Sequence, residues 1–362
     1  MINEKLLKSD ERALLTLRSL YRAYGYLPFK MSKFEEYDLY VRNKDFLVSD
    51  GIITFTDTAG KLLALKPDVT LSIIKNGTDE KGCKQKVYYN ENVYRPSGET
   101  RQYKEIMQAG LECIGDVGVY DLFEVLLLAA KSLASISESY VLEISHMGIL
   151  AGLLEDISDD ESFESEIAKC VKEKNAHEIA AIGRKYGIAE EKLAPLCEFV
   201  GIYGSPESVI ERLTPLCKND TSKAALETLS TIAALFEGRE EAANIRFDFS
   251  TVNDMHYYSG IVFGGYLDGI PESVLSGGQY GRLMAKMGRR ADAVGFAIYL
   301  DLLEGLGARS DSYDVDVLLI ASENTDPSAI ARATEKLIKE GKTVSVQSAT
   351  PEKLRYRELI EL

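Results

Sequence analysis

Two stretches with a period of two lie between residues 86 and 115, KVYYNENVYRPSGETRQYKEIMQAGLECIG. Val87 to Arg95 is rich in Tyr and Val, and Ile106 to Ile114 alternates. Between them lie the polar turn formers Pro96-Ser97-Gly98-Glu99-Thr100. The pattern predicts a long-looped β-hairpin. Strand side chains alternate between faces. Met107, Ala109, Leu111 and Cys113 therefore share an apolar face, while Gln108, Gly110 and Glu112 share the other with Ile106 and Ile114. A glycine inside a strand marks close approach to the backbone. That second face is either the floor of a polar ligand site or a solvated outer face.

Upstream, Leu14, Leu17, Tyr21 and Tyr24 form one stripe of a helix predicted over 10–24 and stopped by Gly25. Residues 51–65 predict a short hairpin turning at Asp57–Gly60, and Lys66-Pro67-Asp68-Val69-Thr70 leads into an apolar helical run. Downstream, Val119–Leu133 predicts an apolar helix and Val141–Ser145 a strand. Residues 147 to 240 lose the strand signal and read as an inserted helical lobe, broken at Gly187 and Gly204. Strand character returns at Ile245–Ser250 and at His256–Phe263, a second hairpin. Ser276-Gly277-Gly278-Gln279-Tyr280 reads as a flexible turn, and Ala293–Ile298 runs into a helix over Tyr299–Leu306. The small, polar segment 307–313 reads as a linker. Beyond it, Asp314–Ile320 has the continuous apolar character of a buried parallel strand. Asp326-Pro327 opens a helix that Gly341 ends, Thr343–Val346 is a second strand, and Thr350-Pro351 opens a last helix. The fold class is α+β: a core over 1–306 containing the insert, and a short C-terminal β-α-β unit over 314–362.

Composition narrows the function. The 362 residues carry a formal net charge of −15, which weakens any expectation of gripping a phosphate backbone. Five cysteines are scattered and odd in number, as in a reduced, cytoplasmic protein. The three histidines lie apart and near no cysteine cluster, so no metal site is expected. The N-terminus is charged from the start, unlike a signal peptide, and no apolar run approaches the length of a membrane span.

The hairpin resembles motif 2 of the class II aminoacyl-tRNA synthetases in its histidyl version: a strand ending in an aromatic and Arg, a loop, then Gln-x-Gly-x-Glu-x-x-Gly. Tyr94-Arg95 and Gln108 through Gly115 match it. Three further segments resemble the histidyl enzyme in order. They are Leu65–Thr70, Met255-His256-Tyr257-Tyr258-Ser259-Gly260, and Ser276–Tyr280 with Ala293–Ala297. The resemblance covers about residues 5 to 305. It implies a class II aminoacyl-tRNA synthetase-like antiparallel sheet core flanked by helices. It also implies a pocket for free histidine, with Asp68 and Thr70 at the ammonium end, Arg95 on the carboxylate and Gln108 on the amino-acid backbone. Glu112, Tyr257 and Tyr258 would meet the imidazole. By composition alone the tyrosine pair could equally be core packing.

The departures fall at the nucleotide end. Asn253 stands where the synthetase has a catalytic Arg ahead of the Tyr pair, and Asp301-Leu302 where motif 3 ends in Glu-Arg. The loop reads Gln102-Tyr103-Lys104-Glu105-Ile106 in place of Arg-Tyr-Arg-Gln-Phe. Losing two or three charge-assisted contacts and a stacking ring lowers an adenylation rate by about 3 to 6 powers of ten. Only about fifty residues follow the linker, fewer than a full anticodon-binding domain, and acids outnumber bases in them. Both features resemble the ATP phosphoribosyltransferase regulatory subunits, non-catalytic synthetase paralogues. That resemblance implies histidine as effector, a homodimer building block and a hetero-octamer with the short-form catalytic subunit. It implies no tRNA substrate and no cofactor. The alternative is an active histidyl-tRNA synthetase with degenerate motifs.

Overall fold

The computed structural model describes residues 9–47, 51–77, 80, 82–96, 102–251, 258–305 and 313–362. The chain forms two units, Met1–Leu303 and Glu304–Leu362. The first opens with the amphipathic helix α1 (Ser9–Ala23), which buries Leu17 and Tyr21 and half-buries Leu14 and Tyr24. Next come β1 (Leu27–Pro28), β2 (Phe34–Glu36) and α2 (Tyr37–Arg42). The predicted 51–65 hairpin forms as β3 (Thr54–Thr56) and β4 (Leu62–Leu65), and β2 joins it as a small sheet in the order β2-β4-β3. Helix α3 (Thr70–Asn76) leads into the long hairpin of β5 (Gln85–Pro96) and β6 (Tyr103–Gly115), followed by α4 (Val119–Ile136) and β7 (Tyr140–His146).

The insert holds α5 (Met147–Glu155), α6 (Glu161–Lys172), α7 (Ala176–Lys185) and α8 (Glu190–Val200). A two-residue strand, β8 (Tyr203–Gly204), precedes α9 (Pro206–Leu213) and α10 (Asp220–Phe236). The chain returns through β9 (Ile245–Asp248), a 3-10 turn (Phe249–Thr251), β10 (Ile261–Leu267), β11 (Leu275–Gln279), α11 (Gly281–Lys286) and β12 (Asp292–Tyr299). Among the described residues these strands form one sheet in the order β1-β5-β6-β12-β11-β10-β7-β9-β8. The six strands from β5 to β7 are antiparallel, while β1 and β9 add on in parallel. The apolar helix α4 packs on β7, β10, β11 and β12, so one sheet face becomes core.

Three expectations change. Ser276–Gln279 is a central strand and not a flexible turn. A Cβ on Gly277 would lie 2.5 Å from the Phe296 Cβ, and one on Gly278 would lie 2.5 Å from the Tyr258 ring. The glycines give room to neighbours rather than freedom to the backbone. The second hairpin pairs Ile261–Leu267 with Leu275–Gln279; His256 and Tyr257 lie outside the described residues. Tyr299 ends β12, and Leu300–Gly305 is 3-10 rather than α-helical. The expected linker, 307–313, lies outside the described residues except for Tyr313.

In the second unit, β13 (Val315–Ile320), α12 (Pro327–Lys339) and β14 (Val344–Gln347) follow the reading of the sequence. The last predicted helix is instead a strand, β15 (Tyr356–Glu361), parallel to β13 in the order β14-β13-β15. Its Glu, Leu and Arg content favours a helix, but the free edge of β13 offers a ladder of backbone partners. Asp314 fixes the register: its carboxylate accepts the Arg355 N–H (2.8 Å) and pairs with the Arg355 guanidinium (2.8 Å).

Candidate functional site

The polar face of β6 is buried, with Gln108 and Glu112 each 2% exposed. Register explains what it faces. Gly110, Ala297, Ser276 and Gly264 fall in one row across β6, β12, β11 and β10. Glu112, Gly295 and Gly278 form the next row. Such small residues leave the sheet without a filling layer, and a cavity of about 480 Å³ sits over them. Asp68, Thr70, Arg95, Gln108, Glu112 and Tyr258 all line it. They come from a turn, a helix start, two strands and the segment before β10. Tyr257 lies outside the described residues.

Each group is held. Asp68 Oδ1 accepts the Leu71 N–H (2.9 Å) at the start of α3. Its other oxygen lies 3.8 Å from the Arg95 guanidinium, and Arg95 Nε donates to the Pro67 carbonyl (2.6 Å). The Leu65–Thr70 segment is anchored below by Lys66, whose ammonium pairs with Glu91 of β5; the Lys66 side chain is 1% exposed. Glu112 accepts hydroxyl donation from Thr70 (3.1 Å) and from Tyr280 (2.6 Å). Its carboxylate lies across Gly295, where a Cβ would occupy the same space.

Desolvation governs the electrostatics. Burial pushes the Glu112 carboxyl up to about 8; the Tyr280 and Thr70 hydroxyls oppose the rise and the Asp68 charge adds to it. Burial also raises Asp68, opposed by the Arg95 guanidinium and the Leu71 and Thr70 N–H groups. Tyr258 is raised by burial and hydrogen-bonds Ser276. Two carboxyl groups and one guanidinium, already engaged, thus line a cavity walled by tyrosines. The set suits a ligand with an ammonium, a carboxylate and a ring N–H.

The sequence reading did not assign Tyr280, Tyr89, Tyr266, Tyr299 or Phe46, which also line the cavity. Tyr280 closes the quoted Ser276–Tyr280 stretch, so its signal was present. Tyr89 pairs with Gly110 across the hairpin and lies over it; only the register reveals that.

A family model described as histidyl-tRNA synthetase matches residues 3–303. The ATP phosphoribosyltransferase regulatory subunit of Clostridium kluyveri is 30% identical over 328 residues, 88% of this chain and 84% of that one. The chain belongs to the histidyl-tRNA synthetase-like family of ATP phosphoribosyltransferase regulatory subunits. Its fold matches the crystal structure of an ATP phosphoribosyltransferase regulatory subunit/histidyl-tRNA synthetase from Bacillus halodurans, with a TM-score of 0.77 at 23% identity over 98% of this chain and 93% of the other. It also matches a chain of the ATP phosphoribosyl transferase (HisG:HisZ) complex from Thermotoga maritima, with a TM-score of 0.64 at 21% identity over 80% and 97%.

Against the synthetase pattern, the nucleotide end differs where the sequence departs. Arg95 is the one cation among the described residues lining the cavity. Glu105 accepts from Asn92 (2.5 Å) and Tyr94 (2.9 Å), so the loop-side strand carries an engaged acid where the synthetase presents donors. Ile106, in the place of the stacking Phe, is half-buried against the cluster containing Tyr89 and Phe46. Leu302 is half-buried in the 3-10 stretch, and Asn253 lies outside the described residues.

The raised Glu112 has a consequence for stability. A carboxyl whose folded value exceeds its unfolded one stabilises the fold fully at low pH and loses that contribution as pH rises through the folded value. The ligand-free protein is therefore expected to lose this contribution between about pH 4.5 and 8. Urea midpoints measured across that window fall for the wild type and flatten for Glu112→Gln. Equal slopes for the two proteins would contradict the assignment.

Proposed function

We propose that this chain is a non-catalytic subunit that binds free histidine and thereby controls a short-form ATP phosphoribosyltransferase catalytic subunit. The observation that carries the reading is the asymmetry of the cavity. Asp68, Arg95 and Glu112 are buried and hydrogen-bonded at the end assigned to the amino acid, while among the described residues a single engaged cation lines the cavity. The names of its relatives support the same reading. Asp68 and Thr70 take the ammonium, Arg95 the carboxylate, Gln108 the backbone, and Glu112 with Tyr257 and Tyr258 the imidazole. Control follows from linkage: histidine shifts the assembly only by its differential affinity for two arrangements. The working assembly is a cytoplasmic hetero-octamer built on homodimers of this chain, with no tRNA charged.

The test is histidine-dependent ATP–pyrophosphate exchange on the purified chain, with calorimetric titration of histidine alongside. No exchange above background together with histidine binding is expected, because adenylation needs cations on the developing phosphate charge. Exchange at a synthetase-like rate overturns the proposal. Adding the short phosphoribosyltransferase then yields a defined complex by analytical ultracentrifugation, and its activity falls on addition of histidine.

A further inference from the structure

Four helix ends among the described residues share one hydrogen-bond pattern. The first N–H past the cap bonds three residues back and the next bonds five back. These ends are at Gly25, Gly187, Gly288 and Gly341, each with φ between 69° and 83°. Glycine belongs there because a Cβ is strained in the left-handed region. The end of α6 follows the same pattern: Lys174 N–H bonds to the Val171 carbonyl (3.1 Å) and Asn175 N–H to the Cys170 carbonyl (2.8 Å). There the left-handed residue is Lys174, φ 52°, and it is the one non-glycine with positive φ among the described residues. Strain of this kind persists where the surroundings over-determine it.

The surroundings are the junction between the helical lobe and the large sheet. Lys174 Nζ lies over the Tyr203 ring (4.5 Å) and 2.6 Å from Asp248 Oδ2 at the end of β9. Asp248 is 6% exposed. Its other oxygen accepts the Ser250 N–H (2.8 Å) and the Ser250 hydroxyl (2.6 Å), which closes the 3-10 turn. Phe249 of that turn packs on Phe199 of α8, ring centroids 4.9 Å apart. Arg246 pairs with Glu143 in the β9–β7 register, and Glu143 pairs with Gly264 in the floor row. Asp248 therefore lies on the cavity face of the sheet. β9 is joined through β7 to β10, whose Gly264 and Tyr266 line the cavity.

We infer that Lys174 is a positioning residue for the cavity: it ties the helical lobe to Asp248, and through the β9 turn and the β9–β7–β10 ladder it holds the β10 wall of the cavity in place. The lobe then sets ligand affinity without touching the ligand. This rests on the proposed histidine site and adds a route by which the lobe regulates it.

Lys174→Gly is the informative variant, since glycine keeps the backbone and removes only the side chain. Histidine titrations on the full chain are expected to give affinity weakened about three- to tenfold. Lys174→Arg restores affinity. Asp248→Asn weakens it to the same extent, and the double variant is no worse than either single one. Wild-type affinity in Lys174→Gly, or additive losses in the double variant, overturns the inference and leaves the histidine site standing. Failure of the wild type to bind histidine overturns both.

Discussion

Replacing Glu112 by Gln is expected to weaken histidine binding by about 10- to 100-fold, the size of one charge-assisted hydrogen bond lost in a dry site. The carboxyl group accepts from Tyr280 and Thr70 and lines the cavity, where the proposed site places the imidazole. In Gln one oxygen becomes an NH2, so a hydroxyl that donated must turn away. The loss has a pH signature. Glu112 is pushed up to about 8 in the empty site, so a ligand that favours the ionised carboxylate displaces a proton. Calorimetry at pH 7 in buffers of different ionisation enthalpy is expected to reveal proton release for the wild type and none for Glu112→Gln. Equal affinity and equal proton release in the two proteins would remove Glu112 from the site.

Glu91→Ala has the largest expected effect on stability, about 3–5 kcal/mol, because it strands a buried ammonium. Lys66 is fully buried and Glu91 pairs with it directly. The pair holds the Leu65–Thr70 segment against β5, and Tyr94 N–H donates to the Lys66 carbonyl (3.0 Å). Asp68 and Thr70 follow Lys66 in the chain, so histidine binding should fall with stability. Lys66→Met combined with Glu91→Leu is expected to recover most of the stability, since apolar pairs replace buried ion pairs at little loss. Urea unfolding followed by circular dichroism measures both. A loss near zero in Glu91→Ala would mean that Lys66 finds water or another acceptor.

Local pattern determined much of this protein. The hairpin, the apolar α4, the helical lobe and the β13–α12–β14 order were legible because hydrophobic periodicity and caps are local signals. Motif spacing named seven residues for the proposed histidine pocket, and the six that are described line one cavity. Tertiary structure decided the rest. Ser276–Gln279 reads as a turn by composition, yet its glycines are there because Phe296 and Tyr258 occupy the space of a side chain. Residues 350–362 read as a helix until the open edge of β13 supplies partners. The choice between a solvated face and a cavity floor at Gln108 and Glu112 depended on the small residues in the Gly110 and Glu112 rows on β12, β11 and β10. Alternation states which side chains share a face. Only strand order and register state what that face meets, since both are set by contacts between residues far apart in the chain.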